Sequence, residues 1–268
     1  MNVLTRNNVS TAGVATARPL VFVHGFGCDQ HMWRFVAPAF ADRYRIVLLD
    51  LVGAGGSDLT AYDPDRYAQL EGYATDVIEV MEALDLDDVV IVGHSVSAMI
   101  GVLAALGAPD RVSALALVAP SPRYIDDGEY IGGFSEADIL GLLDSLDSNY
   151  LGWSQAMAPV IVGNDDRPEL GAELTASFCR TDPEIQKRFA RATFLSDHRR
   201  LLPEISVPTL ILQCVDDPIA PTQVGEYVHA QIAGSRLVRL RATGHCPNLS
   251  APTETAAAIA AFVDDLRP

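Results

Sequence analysis

The sequence has little positive charge. Its 268 residues include 19 Lys and Arg against 35 Asp and Glu, which gives a formal net charge of −16, and Lys187 is the single lysine. Because binding to a phosphate backbone or to anionic lipid requires clustered cations, this balance argues against a nucleic-acid partner and against an acidic membrane surface. The scarcity of lysine also makes lysine-based covalent chemistry a poor candidate.

Cysteine is also scarce. Cys28, Cys179, Cys214 and Cys246 are far apart and form no C-x-x-C pair, which argues against a zinc ribbon or a dithiol redox site. The first 19 residues lack the charged segment and apolar segment that are typical of a signal peptide. We therefore expect a cytoplasmic protein with reduced thiols.

One segment without charge could be mistaken for a membrane span. Residues 89–109 contain no Asp, Glu, Lys or Arg, and 21 residues are enough to cross a bilayer. However, Gly93, His94, Ser95 and Ser97 interrupt the apolar run. With 49% hydrophobic residues overall, the chain is instead typical of a folded globular protein with a sizeable core.

Short apolar runs alternate with helical patterns along the chain. Runs that are apolar on both faces predict buried parallel strands, and they lie at Leu20–Val23, Arg45–Leu49, Val89–Val92, Ala114–Val118, Thr209–Leu212 and Leu237–Leu240. The apolar positions from Tyr73 to Leu84 have helical spacing, and Thr253–Leu266 also reads as a helix. The alternation predicts an α/β fold with a mostly parallel sheet flanked by helices.

This alternation stops between about residues 120 and 200, where no convincing strand is found. The spacing there predicts one amphipathic helix through Ile139, Leu142, Leu143, Leu146 and Tyr150. Further helices are expected near Pro168–Cys179 and Pro183–Leu195. We interpret residues 121–200 as a helical cap over a ligand site, with 1–120 and 201–268 as the core; an extra packing layer is the alternative.

The strongest local signal lies at the end of the third run. Gly93-His-Ser95-Val-Ser97 stands between an apolar strand and a helical stretch, as in a nucleophile elbow, where a tight turn exposes a serine. The small residues Gly93 and Ser97 allow strand and helix to approach closely, although the usual pattern has glycine at the position of Ser97. Ser95 is thus a candidate nucleophile, or else only a helix cap.

A serine nucleophile requires a base and a carboxylate, which follow it in the order Ser, Asp/Glu, His in this architecture. His245 lies in a turn-rich loop after the last run and is the candidate base. Asp216 and Asp217 both follow the fifth run, so either could orient the base. The backbone N–H groups of Phe26 and Val96 are candidates for an oxyanion hole.

The cap segment supplies aromatic side chains that could line an apolar pocket above Ser95 or only pack helices together. They are Tyr124, Phe134, Trp153, Phe178 and Phe194. The sequence has no H-E-x-x-H or Walker motif, and Gly53-Ala-Gly-Gly56 is followed by Asp58 where a dinucleotide fingerprint needs glycine. We therefore expect a small hydrophobic ligand with a reactive carbonyl, and neither a metal nor a cofactor.

Longer segments carry a resemblance to a known family. They are HGFGCDQHMW (24–33), DLVGAGGSD (50–58), GHSVSAMIG (93–101), SPRYIDDGEYIGGF (121–134), FCRTDPEI (178–185), FLSDHR (194–199), LQCVDDPIAP (212–221) and GHCPNLSAP (244–252). With these segments the chain resembles the α/β-hydrolase family, and within it the RsbQ-like group of bacterial stress regulators. That group is similar to the plant karrikin and strigolactone receptors, and it often has serine at the position of Ser97.

The resemblance implies an α/β-hydrolase fold with a four-helix cap and a triad of Ser95, Asp217 and His245. It favours Asp217 over Asp216, and it places Phe134 and Trp153 toward the pocket. The expected function is hydrolysis of a small hydrophobic ester or lactone in a stress-signalling role. The alternative is a ligand sensor with slow or no turnover that partners a PAS-containing serine phosphatase. The same residue types would also suit a perhydrolase or a carbon–carbon hydrolase.

Overall fold

A central sheet organises the protein, whose computed structural model describes residues 2–266. Its seven strands are β1 (Ser10–Gly13), β2 (Pro19–Val23), β3 (Arg45–Leu49), β4 (Val89–His94), β5 (Val112–Val118), β6 (Thr209–Asp216) and β7 (Arg236–Thr243). They lie in the order β1-β3-β2-β4-β5-β6-β7, and only β1 runs antiparallel to its neighbour. The mostly parallel sheet predicted from the apolar runs is confirmed.

The burial of a strand explains whether its sequence pattern predicted it. Every residue of β2 and β4 is buried, as expected for parallel strands with helices on both faces. All four residues of β1 are exposed, so this edge strand has neither an apolar run nor an alternation, and the sequence did not predict it.

Helices cover both faces of the sheet. The α-helices are α1 (Val3–Arg6), α2 (Leu70–Ala83), α3 (Val96–Gly107), α4 (Glu136–Ser148), α5 (Tyr150–Val162), α6 (Pro168–Cys179), α7 (Pro183–Phe194), α8 (Thr222–Gln231), α9 (Pro247–Ser250) and α10 (Pro252–Asp265). Short 3₁₀ segments lie at Gln30–Trp33, Ala37–Phe40, Leu59–Ala61, Arg66–Ala68 and Arg199–Glu204. Alternate residues of β2 enter two separate apolar cores, one shared with α2 and α3 and the other with α10.

Four of these helices, α4 to α7, lie between β5 and β6, in the segment predicted to be a cap. The helix predicted through Ile139, Leu142, Leu143 and Leu146 is α4, but its predicted extension to Tyr150 is wrong. Helix α4 ends at Ser148, and the side chain of Asn149 caps a new helix by accepting a hydrogen bond from the Gly152 N–H. Tyr150 therefore begins α5. The division into core and cap domains stays a prediction.

Within residues 2–266 no helix is both long enough and apolar enough to span a bilayer. The uncharged segment at residues 89–109 instead forms β4, a tight turn and α3. This arrangement places Ser95 at the carboxyl end of the central strand of the sheet.

Candidate active site

Ser95 occupies a strained turn between β4 and α3. Its φ of 58° and ψ of −124° are rarely adopted by a residue other than glycine. The turn brings strand and helix so close that a Cβ on Gly93 would lie 2.2 Å from the Ser97 carbonyl oxygen. The Ser95 N–H donates to the Val118 carbonyl at 2.8 Å, which fixes the turn to β5.

Ser97, which replaces the glycine usual in such turns, has a contact of its own. Its side chain is fully buried, and its hydroxyl donates a short hydrogen bond to the His24 carbonyl. Because His24 begins the loop after β2, this bond joins the nucleophile turn to the loop that carries Phe26.

Three side chains form a continuous chain of hydrogen bonds. His245 Nε2 lies 2.7 Å from Ser95 Oγ, and His245 Nδ1 lies 2.8 Å and 3.0 Å from the two carboxylate oxygens of Asp217. All three residues are buried. With Asp217 accepting from Nδ1–H, Nε2 is left as the nitrogen that can accept the serine proton.

The structure distinguishes between the two neighbouring aspartates. The carboxylate of Asp217 also accepts from the N–H groups of Ile219 and Ala220, at 2.8 Å and 3.0 Å, which fixes its orientation toward His245. Asp216 is exposed, and its contribution to this region is a backbone carbonyl that accepts from the Gly244 N–H at 2.7 Å. Asp217 alone of the two reaches the imidazole.

His94, which precedes Ser95, supports His245 from behind. Its Nε2–H donates to the His245 carbonyl at 2.7 Å, and the two rings lie 5.3 Å apart. Burial, with a smaller contribution from the charge of His245, lowers the pKa of His94 to about 3. From the other side, the His245 N–H donates to the Ile161 carbonyl near the end of α5, at 2.7 Å.

The backbone N–H groups of Phe26 and Val96 are the predicted oxyanion hole. Val96 N–H is at the start of α3, where the helix dipole favours negative charge, and Phe26 N–H is in the loop after β2. Neither donates a hydrogen bond to another residue within 2–266. Gly27 holds this loop with a φ of 69°, and a Cβ there would lie 1.6 Å from the Phe178 ring.

A narrow cavity opens beside the serine. Six of the residues singled out from the sequence form part of its wall: Phe26, Ser95, Tyr124, Phe178, Phe194 and His245. Asp217 and Val96 lie behind the wall, next to His245 and Ser95.

Two of the expected pocket residues lie outside this wall. The Trp153 ring packs on Phe26 and Phe178 from the outside, at centroid distances of 6.2 Å and 5.5 Å. Phe134 is half-buried against the core that includes α10. Sequence reasoning also missed part of the wall, which includes Cys28, His94, Ile161, Leu174, Thr193 and Ile219.

The remaining titratable groups on the wall are neutral near pH 7. Burial raises the pKa of Tyr124 far above its usual range, against a smaller lowering by hydrogen bonding with Ser95. Burial likewise raises the pKa of the thiols of Cys28 and Cys246, which keeps both protonated and unreactive. Tyr124, Cys28 and Cys246 therefore bring no charge to the cavity.

A larger groove, of about 1150 Å³, lies on the surface between the start of α2 and the end of α7. It is open to solvent and contains none of Ser95, His245 or Asp217. The chemistry of the side chains, rather than volume, identifies the smaller cavity as the candidate site. Among residues 2–266 there is no group of three His, Cys, Asp or Glu side chains placed to hold a metal ion.

A mostly parallel sheet with a serine on the turn after its central strand defines the class of protein as one with the α/β-hydrolase fold. A sequence model described as the alpha/beta hydrolase family matches residues 20–258. The chain belongs to the α/β-hydrolase family, and the predicted fold class is confirmed.

The similar proteins include receptors and enzymes. The chain is 39% identical to "Karrikin insensitive 2 receptor CA" of Petunia hybrida over 92% of this chain and 91% of the receptor. It is 37% identical to "Strigolactone esterase D14" of Arabidopsis thaliana over 95% of each chain. Among solved structures, a hydrolase from Oleispira antarctica superposes with a TM-score of 0.95 at 40% identity, over 98% of this chain and 97% of that one.

Proposed function

We propose that the protein is a serine hydrolase that cleaves a small hydrophobic ester or lactone. The observation that carries the proposal is the hydrogen-bonded chain from Asp217 through His245 to Ser95 Oγ, at the wall of an otherwise mostly apolar cavity. A serine hydroxyl is a weak nucleophile until a positioned base removes its proton, and this chain supplies such a base.

In the proposed reaction, Ser95 Oγ attacks the carbonyl carbon while its proton moves to His245 Nε2. The carbonyl oxygen becomes an oxyanion, which the N–H groups of Phe26 and Val96 stabilise. The tetrahedral intermediate expels the alcohol, which takes the proton from His245. Water, deprotonated by His245, then attacks the acyl-serine, and the second intermediate releases the acid as Ser95 Oγ takes the proton back from His245. In a lactone the alcohol and acid belong to one molecule, so the product is a hydroxy acid.

Time-resolved intact mass spectrometry tests this assignment. We expect 4-nitrophenyl acetate to add one acetyl group to the wild-type protein and none to Ser95→Ala. Ser113→Ala, which changes a half-buried serine on β5, is the matched control and should be acetylated like the wild type. An equal adduct on Ser95→Ala would show that Ser95 is not the nucleophile.

A second function, ligand sensing with slow turnover, is favoured by the 39% identity to a protein named as a karrikin receptor. In this proposal the same cavity binds a small hydrophobic carbonyl compound, and the output is a protein contact. The sequence resemblance to RsbQ-like stress regulators makes a PAS-containing serine phosphatase the proposed partner.

The lifetime of the adduct separates the two functions. A butenolide adduct on Ser95 that persists for many minutes would favour a sensor, whereas rapid loss would favour an esterase. Ligand-dependent co-purification with a PAS-containing phosphatase from the same cell would support the signalling role. Co-purification that is independent of ligand and of Ser95 would contradict it.

A further inference from the structure

Thr193 is the one polar side chain that the inserted helices α4 to α7 contribute to the wall of the catalytic cavity. The other wall residues from these helices are Ile161, Leu174, Phe178 and Phe194, all apolar. Thr193 is only 1% exposed, and its hydroxyl has no hydrogen-bond partner among residues 2–266. A buried hydroxyl without a partner is unfavourable and therefore calls for an explanation.

Three other helical threonines of this protein show the ordinary arrangement. A helical threonine commonly donates its hydroxyl to the carbonyl four residues earlier. Thr75, Thr175 and Thr255 all do so, at 2.8 Å or 2.9 Å. Thr193, like Thr175, has the carbonyl four residues earlier within its own helix. Its hydroxyl nevertheless makes no bond to that carbonyl, which belongs to Phe189.

Most other polar groups on the wall are engaged, although His94 Nδ1 is also buried without a partner among residues 2–266. Ser95 and His245 are bonded to each other, and His94 donates through Nε2 to the His245 carbonyl. Thr193 lies on the wall of this cavity, and its buried hydroxyl is a donor without a partner in the described part of the chain. A ligand atom that accepts a hydrogen bond there would complete the site.

We propose that Thr193 determines specificity by donating a hydrogen bond to an oxygen atom of the bound ligand. The site would then select esters or lactones that carry a second oxygen function (a hydroxyl, ether or carbonyl) on the part that lies against α7. This inference rests on the proposed function of the cavity as a site for esters or lactones. A site built to hydrogen-bond an oxygen discriminates against an analogue that has a methyl or methylene group in its place.

Two pairs of isosteric 4-nitrophenyl esters test the proposal. In methoxyacetate and butanoate an ether oxygen replaces a methylene, and in 3-hydroxybutanoate and 3-methylbutanoate a hydroxyl replaces a methyl. For each pair the ratio of kcat/KM, oxygenated over hydrocarbon, is compared between wild type and Thr193→Val. Comparing ratios removes the intrinsic reactivity of each ester, and valine keeps the shape of threonine.

We expect Thr193→Val to lower this ratio about three- to tenfold for at least one pair, the loss of one hydrogen bond. Thr193→Ser, which keeps the hydroxyl, should retain the wild-type ratio. Thr175→Val is the matched control, because the Thr175 hydroxyl is already bonded within α6 and lies outside the cavity wall. Unchanged ratios for both pairs in Thr193→Val, or an equal change in Thr175→Val, would overturn the proposal.

A binding measurement separates this inference from the proposed reaction. Dissociation constants of the same esters are measured by calorimetry on Ser95→Ala with and without Thr193→Val. If Ser95→Ala hydrolysed the esters as fast as the wild type, the proposed nucleophile would be wrong. The ratio of dissociation constants, oxygenated over hydrocarbon ester, would still test the role of Thr193. We expect Thr193→Val to change this ratio about three- to tenfold. An unchanged ratio would contradict the proposed role.

Discussion

The two walls of the cavity are built in different ways. On the sheet side, Ser95 and His245 lie on turns that follow strands, and backbone hydrogen bonds to Val118 and Ile161 hold each turn in place. On the side of the inserted helices, the wall consists of aliphatic and aromatic side chains and one unpartnered hydroxyl. The candidate catalytic groups thus lie at strand ends, whereas the inserted helices supply a mostly apolar part of the wall.

The walls also contact each other closely, and two of these contacts involve the backbone beside the site. Gly27 packs against the Phe178 ring, and the His245 N–H is bonded to the Ile161 carbonyl of α5. A change in the position of α5 or α6 would therefore be transmitted to the base and to the Phe26 loop. Changes to the sheet side should alter the chemical step, and changes to the helical side should alter selectivity.

The largest effect is expected within the sheet side, at the carboxylate. Asp217→Asn should lower kcat by about 10³- to 10⁴-fold, because an amide can donate to Nδ1 and so favours the wrong imidazole tautomer. Steady-state kinetics on a 4-nitrophenyl ester measures this. Asp216→Asn makes the same chemical change one residue earlier, on an exposed side chain, and should leave kcat almost unchanged. Similar losses in both variants would remove Asp217 from the proposed role.

The contact between the two walls gives the next largest effect. Gly27→Ala should lower the free energy of unfolding by about 1–3 kcal/mol and kcat/KM roughly tenfold, since the new Cβ collides with Phe178 at a positive φ. Chemical denaturation and kinetics measure both quantities.

A double variant and a control variant show whether the collision with Phe178 causes the losses in Gly27→Ala. Gly27→Ala combined with Phe178→Ala should lose less stability than the sum of the two single variants, because removing the ring removes the collision. Gly128 also has a positive φ, of 60°, but its Cβ would meet nothing within 4 Å. Gly128→Ala therefore measures the backbone strain alone. Additive losses at positions 27 and 178 would mean that the collision is relieved in some other way.

Acid should lower the free energy of unfolding, because His94 is buried on the sheet side. In the unfolded chain its imidazole takes up a proton below about pH 6.5, whereas in the folded protein its pKa is about 3 because of burial. Its contribution to stability is complete above pH 6.5 and is lost as the pH falls toward 3, by up to about 1.4 kcal/mol per pH unit. His94→Gln should flatten this dependence in urea unfolding at several pH values. His229→Gln, at an exposed histidine, should not.

The sequence predicted the sheet side better than the helical side, for physical reasons. Parallel strands are buried on both faces and show as apolar runs, and the turn at Ser95 requires small neighbours, so both leave local signals. The choice of Asp217 over Asp216 needed the family resemblance, because both follow the same strand. The geometry agrees with that choice, since only Asp217 reaches His245.

The helical side left weaker signals. The break at Asn149 was missed because Tyr150 continues the apolar spacing of α4 into the next helix. Thr193 was missed because a threonine on an amphipathic helix is ordinary, and the direction of its hydroxyl depends on tertiary packing. Trp153 lies one layer behind the wall, a distinction that residue type does not encode.

The smallest effect concerns the bond between the Ser95 turn and the Phe26 loop. Ser97→Ala removes the hydroxyl that donates to the His24 carbonyl, and it should lower the free energy of unfolding by about 1 kcal/mol. Since this bond joins the Ser95 turn to the loop of Phe26, whose N–H is one of the two proposed oxyanion donors, kcat/KM should fall as well. Ser113→Ala breaks a similar bond, to the Val89 carbonyl at 3.2 Å, far from Phe26. If both variants lost stability while kcat/KM fell in neither, the two amides would be aligned without Ser97, by the loop after β2 and the start of α3 alone.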